Sequence, residues 1–268
     1  MTERRFEEKN VIVTGAGHGI GRAIAQRFAA EGADVMLIGR RPEPLAETAA
    51  TIEAASGKSF AQPCDVSSST DVAGAVSAAM ERWGRIDVLV NNAGIAEEKP
   101  FLEIEDDGWD AVIATNLRGA FLMARDVAKE QAQTGGGAIV HIASIDASGG
   151  DGPYASYNAA KAGLLGLSRT MALELGPLGI RVNCVSPGFT HTDMTEVGVP
   201  PGMMDYLLTS FDRVPLRRLV RPDEIAAACA FLASEDASAI TGIDLTVDGG
   251  LTANWYILET LSAGDPGS

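Results

Sequence analysis

The chain has few of the residues that build disulfide frameworks and metal centres. An odd number of widely separated cysteines predicts neither a disulfide framework nor a zinc site, and the histidines have no metal-ligand spacing. We therefore expect no metal and a reducing, cytoplasmic environment. The cysteines are Cys64, Cys184 and Cys229, and the histidines are His18, His141 and His191.

Positive charge and long apolar runs are also scarce. The 268 residues include 21 Lys and Arg against 36 Asp and Glu, a formal net charge of −15. This excess of negative charge argues against binding to nucleic acid or to an anionic membrane surface. No apolar stretch reaches transmembrane length, and the charged segment MTERRFEEKN does not predict a secretory signal. We expect no nucleic-acid partner and no membrane partner.

Short apolar segments alternate with longer amphipathic ones along the chain. This alternation predicts an α/β fold, a doubly wound parallel sheet with helices on both faces. No Ser- or Pro-rich linker divides the sequence, so we expect one domain over residues 1–268. The pattern weakens over about residues 188–215, which predicts a mobile lid or, alternatively, an irregular surface excursion. The strand candidates are NVIVT, ADVMLIG, RIDVLVNN, GAIVHIAS, IRVNCVS and DLTVDGG.

A glycine-rich turn follows the first predicted strand. In TGAGHGIGRAIAQRF the glycines Gly15, Gly19 and Gly21 have the spacing GxxxGxG and lead into a helix. Ile20 stands where the commoner GxGxxG fingerprint has its last glycine. Glycines allow a tight turn, and a helix N terminus offers N–H groups to a pyrophosphate. The turn therefore predicts a dinucleotide site.

Two arginines follow the second predicted strand, where an NAD site has Asp or Glu. Gly39 occupies that position, followed by Arg40 and Arg41. An arginine can bind the 2′-phosphate of NADP(H), which a carboxylate would repel. We expect NADP(H) to be preferred, with NAD(H) as the alternative if the arginines only solubilise the turn.

Further motifs occur in a fixed order along the chain. They are TGAGHGIG at 14–21, CDV at 64–66, NNAG at 91–94, Asn116 in ATNLRG, Ser144 in HIASI, Tyr157 and Lys161 in SYNAAK, SPGFTHTDM at 186–194 and TGIDLTVDGG at 241–250. Over about residues 6–252 the sequence closely resembles the short-chain dehydrogenases/reductases. The resemblance implies a single Rossmann-like domain with about seven parallel strands, a nicotinamide cofactor and oxidation of alcohols to carbonyls. It also implies a homotetramer or, less often, a dimer.

The resemblance assigns catalytic roles to Asn116, Ser144, Tyr157 and Lys161. Residues four apart share one face of a helix, so we expect Lys161 to lie beneath Tyr157 and to lower the pKa of its phenol. Ser144 would bond the substrate oxygen, and Asn116 would hold a water that links Lys161 to solvent. His18 stands where NADP-dependent relatives often have Arg or Lys. The expected cofactor contacts are Gly15, His18, Gly19, Ile20, Arg40, Arg41, Asp65, Val66, Asn92, Ala93, Gly94, Tyr157, Lys161, Pro187, Gly188, Thr190 and Thr192.

The substrate follows less directly from the sequence. We expect a freely diffusing secondary alcohol or ketone such as a polyol, sugar or cyclic alcohol, whose hydroxyls Asp146, Asp151 and Tyr154 would bind unless they only solvate their loop. A 3-oxoacyl-[acyl-carrier-protein] reductase is the alternative. The net negative charge opposes binding of an acidic carrier protein. Acidic side chains also offset the basic ones on the two helices expected to face that carrier. A non-catalytic redox sensor or scaffold is a second alternative, which the presence of Tyr157 and Lys161 disfavours.

Overall fold

The computed structural model describes residues 4–192, 195, 199–200 and 202–253 of the chain. The sequence also predicts a C-terminal tail at about 252–268, and most of it lies outside the described residues. Of the excursion at about 188–215, residues 193–194, 196–198 and 201 also lie outside them.

The strands form one seven-stranded parallel sheet in the order β3-β2-β1-β4-β5-β6-β7. The predicted doubly wound α/β fold is confirmed. The strands are β1 (Asn10–Thr14), β2 (Asp34–Gly39), β3 (Lys58–Pro63), β4 (Val88–Asn91), β5 (Gly137–Ile142), β6 (Ile180–Pro187) and β7 (Asp244–Val247).

Helices cover both faces of this sheet. Within the described residues they are α1 (Gly19–Ala30), α2 (Pro42–Ala54), α3 (Ser69–Trp83), α4 (Asp106–Ile113), α5 (Gly119–Thr134), α6 (Ala155–Leu175), α7 (Met203–Thr209) and α8 (Pro222–Ala233), with a π-helical turn (Ala114–Arg118) between α4 and α5. No helix in the described part of the chain is long and apolar enough to cross a membrane.

Successive residues of the central strands enter two different cores. Val11 and Val13 of β1 pack on the face covered by α1 and α8, whereas Ile12 packs on the face covered by α3 and α5. A strand buried on both faces is apolar at nearly every position. This burial explains why β1, β2, β4 and β5 read as continuous apolar runs.

The order of the strands reverses between β1 and β4. Val11 pairs with Val35 of β2 on one side and with Val88 of β4 on the other. The connections that leave these strands diverge to opposite faces, which opens a crevice at the carboxyl ends of the strands. The sheet thus places the glycine turn after β1 and the NNAG turn after β4 at one site.

The described part of the 188–215 excursion is not entirely irregular. It contains α7, and a small separate core joins Leu207, Phe211, Val214 and Leu219. Burying these side chains gives the segment a small hydrophobic core of its own. Its role as a lid stays a prediction.

Candidate active site

The glycine turn after β1 has the backbone geometry that its sequence predicts. Gly15 and Gly19 have φ angles of +66° and +47°, a region that side chains disfavour. A Cβ atom added at Gly21 would lie 2.1 Å from the Gly15 carbonyl oxygen. The turn is therefore too tight for a side chain at Gly21, and it directs the N terminus of α1 into the crevice.

Thr14 and Asn92 join the glycine turn to the NNAG turn. The Thr14 hydroxyl accepts hydrogen bonds from the backbone N–H groups of Asn92 and Ala93, both at 2.9 Å. The Asn92 side chain donates to the carbonyls of Thr14 (3.0 Å) and Gly15 (3.3 Å). These bonds hold the ends of β1 and β4 in register and fix the floor of the crevice.

A cavity of about 700 Å³ occupies the crevice. All 17 residues expected to contact a cofactor line it, as do Ser144, Asp146, Asp151 and Tyr154. Sequence reasoning did not select the other lining residues as contacts, although some of them, such as Gly17 and Cys64, stand within the quoted motifs. They are Gly17, Gly39, Pro44, Leu45, Cys64, Ile95, Ala96, Thr115, Ile142, Ala143, Ile145, Phe189, Thr195 and Val199.

One end of the cavity is cationic and suits the phosphates of a dinucleotide. Arg40 and Arg41 line this end beside the glycine turn, and Arg41 Nη2 lies 2.7 Å from His18 Nε2. Guanidinium groups and a helix N terminus both bind phosphate oxygens well. The residues present therefore fit a nicotinamide dinucleotide with its adenosine half at this end.

Tyr157, Lys161 and Ser144 meet at the opposite end. Both Tyr157 and Lys161 lie on α6, and the Lys161 Nζ atom is 5.4 Å from the centre of the Tyr157 ring. Lys161 is buried, and its ammonium donates a hydrogen bond of 2.6 Å to the Ile142 carbonyl at the end of β5. Ser144 lies two residues beyond the end of β5 and lines the cavity together with Tyr157. The predicted juxtaposition of the three side chains is therefore present.

The expected decrease in the pKa of Tyr157 is wrong for this structure. Burial raises the pKa of the phenol to about 12; the hydrogen bond to Ser144 lowers it, but the Asp146 charge raises it further. Burial also lowers the pKa of Lys161 to about 8. Desolvation disfavours the charged form of each group, and this effect is larger than any stabilisation of the phenolate by the nearby ammonium.

Asn116 does not line the cavity, although it lies behind it. Its side chain accepts a hydrogen bond from the Ile95 N–H and donates one to the Ile95 carbonyl, both at 2.8 Å. The side-chain amide is thus engaged by the chain segment that follows the NNAG turn. Asn116 belongs to the π-helical turn, a geometry that alters the ordinary helical pairing of carbonyls. The structure places Asn116 as a support for the cavity wall at Ile95.

Behind Lys161 lies a buried histidine that sequence reasoning did not select. His141 on β5 is fully buried, its Nδ1 lies 3.3 Å from Asn91 Nδ2, and its Nε2 has no hydrogen-bond partner among the described residues. Burial and the Lys161 charge lower its pKa to about 4. The His141 imidazole is therefore neutral at physiological pH. It adds no positive charge next to the Lys161 ammonium.

The substrate end of the cavity is acidic. Asp146 and Asp151 line it, and the Asp146 N–H donates to the Ser144 hydroxyl at 3.2 Å. Burial raises the pKa of Asp146, and the Asp151 charge raises it too. The Tyr154 phenol donates a hydrogen bond of 2.9 Å to the Glu98 carboxylate. Among the described residues that line this end, Lys161 is the one cation.

Comparison with known proteins gives consistent results. The family model described as "Enoyl-(Acyl carrier protein) reductase" matches residues 15–252. The chain is 39% identical over 248 residues to D-threitol dehydrogenase of Mycolicibacterium smegmatis, covering 92% of this chain and 94% of that protein. It is 37% identical over 247 residues to a 3-oxoacyl-[acyl-carrier-protein] reductase of Thermotoga maritima, covering 92% and 99%.

A solved structure has the same fold. The 7α-hydroxysteroid dehydrogenase complexed with NADH and 7-oxo glycochenodeoxycholic acid superimposes with a TM-score of 0.87, at 35% identity, over 92% of this chain and 96% of that chain. Relatives that are this similar over nearly the whole chain share its family as well as its fold. The protein belongs to the short-chain dehydrogenase/reductase family and is an NAD(P)-dependent oxidoreductase that acts on the CH–OH group of alcohols.

Proposed function

We propose that the protein interconverts small neutral secondary alcohols and ketones, with polyols as the favoured class and NADP(H) as the preferred cofactor. The observation that carries the proposal is the polarised cavity, which has arginines at one end and Ser144, Tyr157 and two carboxylates at the other. The similarity of the chain to a D-threitol dehydrogenase supports polyols as the substrate class.

Each catalytic residue has a separate role in carbonyl reduction. Ser144 donates a hydrogen bond to the substrate oxygen and stabilises the charge that develops there. Tyr157, protonated at neutral pH because its pKa is about 12, donates its proton to the same oxygen. Lys161 holds its ammonium at the Ile142 carbonyl, where it supports the phenolate that remains. A nicotinamide cofactor held by the glycine turn, Arg40 and Arg41 would supply the hydride for this reduction.

Asn116 acts as a positioning residue in this scheme. It fixes Ile95 through two hydrogen bonds of 2.8 Å. The water predicted to link Lys161 to solvent stays a prediction.

The carboxylates at the substrate end select the substrate. Asp146 and Asp151 accept hydrogen bonds from a second hydroxyl of a polyol, and they repel substrates that carry a carboxylate or phosphate. A carrier-bound substrate is further disfavoured on the surface of α5, where Asp126 pairs with Arg125 at 2.9 Å and with Lys129 at 3.1 Å. This pairing leaves little positive field to attract an acidic carrier protein.

Replacing Asp146 by Asn tests the substrate class. We expect the wild-type enzyme to favour 2,3-butanediol or threitol over 2-butanol and over 3-hydroxybutyrate in kcat/KM. Asp146→Asn should reduce the preference for diols by about 10- to 100-fold, the value of a hydrogen bond to a charged group. Asp110→Asn, an exposed change on α4, is the control. If reduction of acetoacetate bound to acyl carrier protein, measured beside this panel, has a higher kcat/KM than the reaction of any of the alcohols, the reductase alternative is correct and the polyol proposal is wrong.

Replacing Arg40 by Ala tests the cofactor preference. The side chain lines the cationic end of the cavity, and a charge-assisted hydrogen bond contributes about 1.5 to 3 kcal/mol. We expect Arg40→Ala to weaken NADPH binding by about 10- to 100-fold and to leave NADH binding nearly unchanged. Fluorescence titration of both reduced cofactors measures this, and an equal loss for the two would exclude a 2′-phosphate role for Arg40.

We also propose a homotetramer in the cytoplasm. Leu102, Phe121 and Leu173 are 94%, 41% and 81% exposed beside α4, α5 and α6. Phe231 on α8 and Ile243 next to the edge strand β7 form a second exposed apolar face. If each of two separate faces binds another copy of the chain, the result is a tetramer. If a single face does so, the result is a dimer. Light scattering measures the mass of the assembly.

The proposed cytoplasmic location is supported by the cysteines. All three are free and buried, which suits a reducing compartment.

A further inference from the structure

At the substrate end of the cavity, a carboxylate outside the cavity holds the hydroxyl of a tyrosine. Tyr154 lines the cavity, whereas Glu98 does not. The Tyr154 phenol donates a hydrogen bond of 2.9 Å to Glu98 Oε2. A carboxylate only accepts hydrogen bonds, and a phenol has a single proton to donate. In this contact the Tyr154 hydroxyl has no proton left for a ligand in the cavity, and it can only accept a hydrogen bond from one.

The phenol of Tyr154 keeps its proton in this contact. Burial raises the pKa of Tyr154, and the hydrogen bond to Glu98 raises it too. The charges of Glu98, Asp151 and Asp146 act in the same direction, because negative charges disfavour a phenolate. Tyr154 is thus a neutral hydroxyl at physiological pH, and Glu98 sets the direction in which its O–H bond points.

The backbone around this tyrosine is held by bonds that do not involve the Glu98 side chain. The Lys99 N–H donates to the Pro153 carbonyl at 2.9 Å, and the side-chain amide of Asn158 donates to the Asp151 carbonyl at 3.0 Å. Glu98 itself is exposed, and among the described residues its carboxylate has the phenol as its one hydrogen-bond partner. Removing this carboxylate should therefore free the phenol O–H and leave the cavity wall in place.

We propose that Glu98 is a positioning residue that makes Tyr154 an acceptor for the substrate, so that the site selects a second hydroxyl over a second carbonyl. The inference rests on the proposed activity toward small alcohols and ketones. A hydroxyl next to the reacting carbon donates to the phenol oxygen, whereas a carbonyl there has no proton to donate. Asp146 and Asp151 disfavour a second carbonyl for the same reason, because carboxylates only accept.

Reduction of 3-hydroxy-2-butanone and of 2,3-butanedione by the full-length protein tests the inference. The two ketones share a carbon skeleton but differ in intrinsic reactivity, so the measured quantity is the change in the ratio of their kcat/KM values between variants. We expect Glu98→Ala to lower the hydroxyketone-to-diketone ratio by about 3- to 10-fold, the value of one neutral hydrogen bond. The change should come from faster reduction of the diketone, because the freed phenol can donate to its second carbonyl and can still accept from the hydroxyketone.

A second background separates this role from a structural one. In Tyr154→Phe, which has no phenol to orient, adding Glu98→Ala should leave the ratio unchanged. Glu53→Ala, an exposed change on α2, should leave the ratio of the wild type unchanged. If Glu98→Ala slows both reductions equally, or changes the ratio equally in both backgrounds, the inference alone is wrong. If the wild type reduces neither ketone, the proposed substrate class fails, and the inference fails with it.

Discussion

Replacing Tyr157 by Phe should lower kcat for carbonyl reduction by about 10³-fold, within the range that a positioned general acid contributes. The phenol lies on α6 beside Lys161 and lines the cavity together with Ser144. Phenylalanine keeps the ring and its packing but has no proton to donate. The affinity for NADPH should stay nearly unchanged, because the ring that lines the cavity remains. Initial rates and fluorescence titration measure the two effects separately.

Tyr206→Phe is the matched control for this experiment. It removes the same hydroxyl from a half-exposed tyrosine of α7 whose phenol donates to Asp212 and does not line the cavity. Its turnover should resemble that of the wild type. A Tyr157→Phe enzyme with wild-type turnover would show that the proton comes from another group.

Replacing Gly21 by Ala should disrupt the cofactor end of the site. The added Cβ would lie 2.1 Å from the Gly15 carbonyl oxygen and 2.4 Å from Asn92 Nδ2. Neither contact is possible, so the backbone must move and loosen the hydrogen bonds between the two turns. We expect a loss of about 3 kcal/mol in the free energy of unfolding and cofactor binding weakened by more than about tenfold. Urea unfolding and fluorescence titration measure these changes.

Gly74→Ala supplies the control for that loss. Gly74 lies within α3, is exposed, and no atom lies within 4 Å of the Cβ that alanine would add. Alanine is the better helix former by about 1 kcal/mol, so this variant should be slightly more stable and bind the cofactor normally. If Gly21→Ala behaved like Gly74→Ala, the tight turn would have no role in binding.

The sequence predicts most of the sheet because buried parallel strands must be apolar. β1, β2, β4, β5, β6 and β7 were recognised in this way. β3 was not, because KSFAQP alternates between exposed and partly buried positions at the sheet edge and resembles a loop in composition. The resemblance to a family supplied the seventh strand that periodicity did not reveal.

The sequence likewise predicts one part of the site and not another. Spacing placed Tyr157 and Lys161 on one helical face, and motif order assigned Ser144 and the glycine turn to the same site. The sequence contained no sign that Asn116 bonds Ile95, or that Arg41 contacts His18, which stands 23 positions earlier in the chain. Such contacts depend on how two turns meet in space.

The sequence by itself determined the fold class, the family and many of the residues that line the cavity. Local spacing and apolar burial are short-range properties that a sequence displays directly. The tertiary structure alone decided the direction of the Tyr157 and Lys161 pKa shifts, the hydrogen bonds between Asn116 and Ile95 and the pairing of His18 with Arg41. Desolvation and charge coupling depend on the distances between elements far apart in the chain, which only the packed sheet and helices fix.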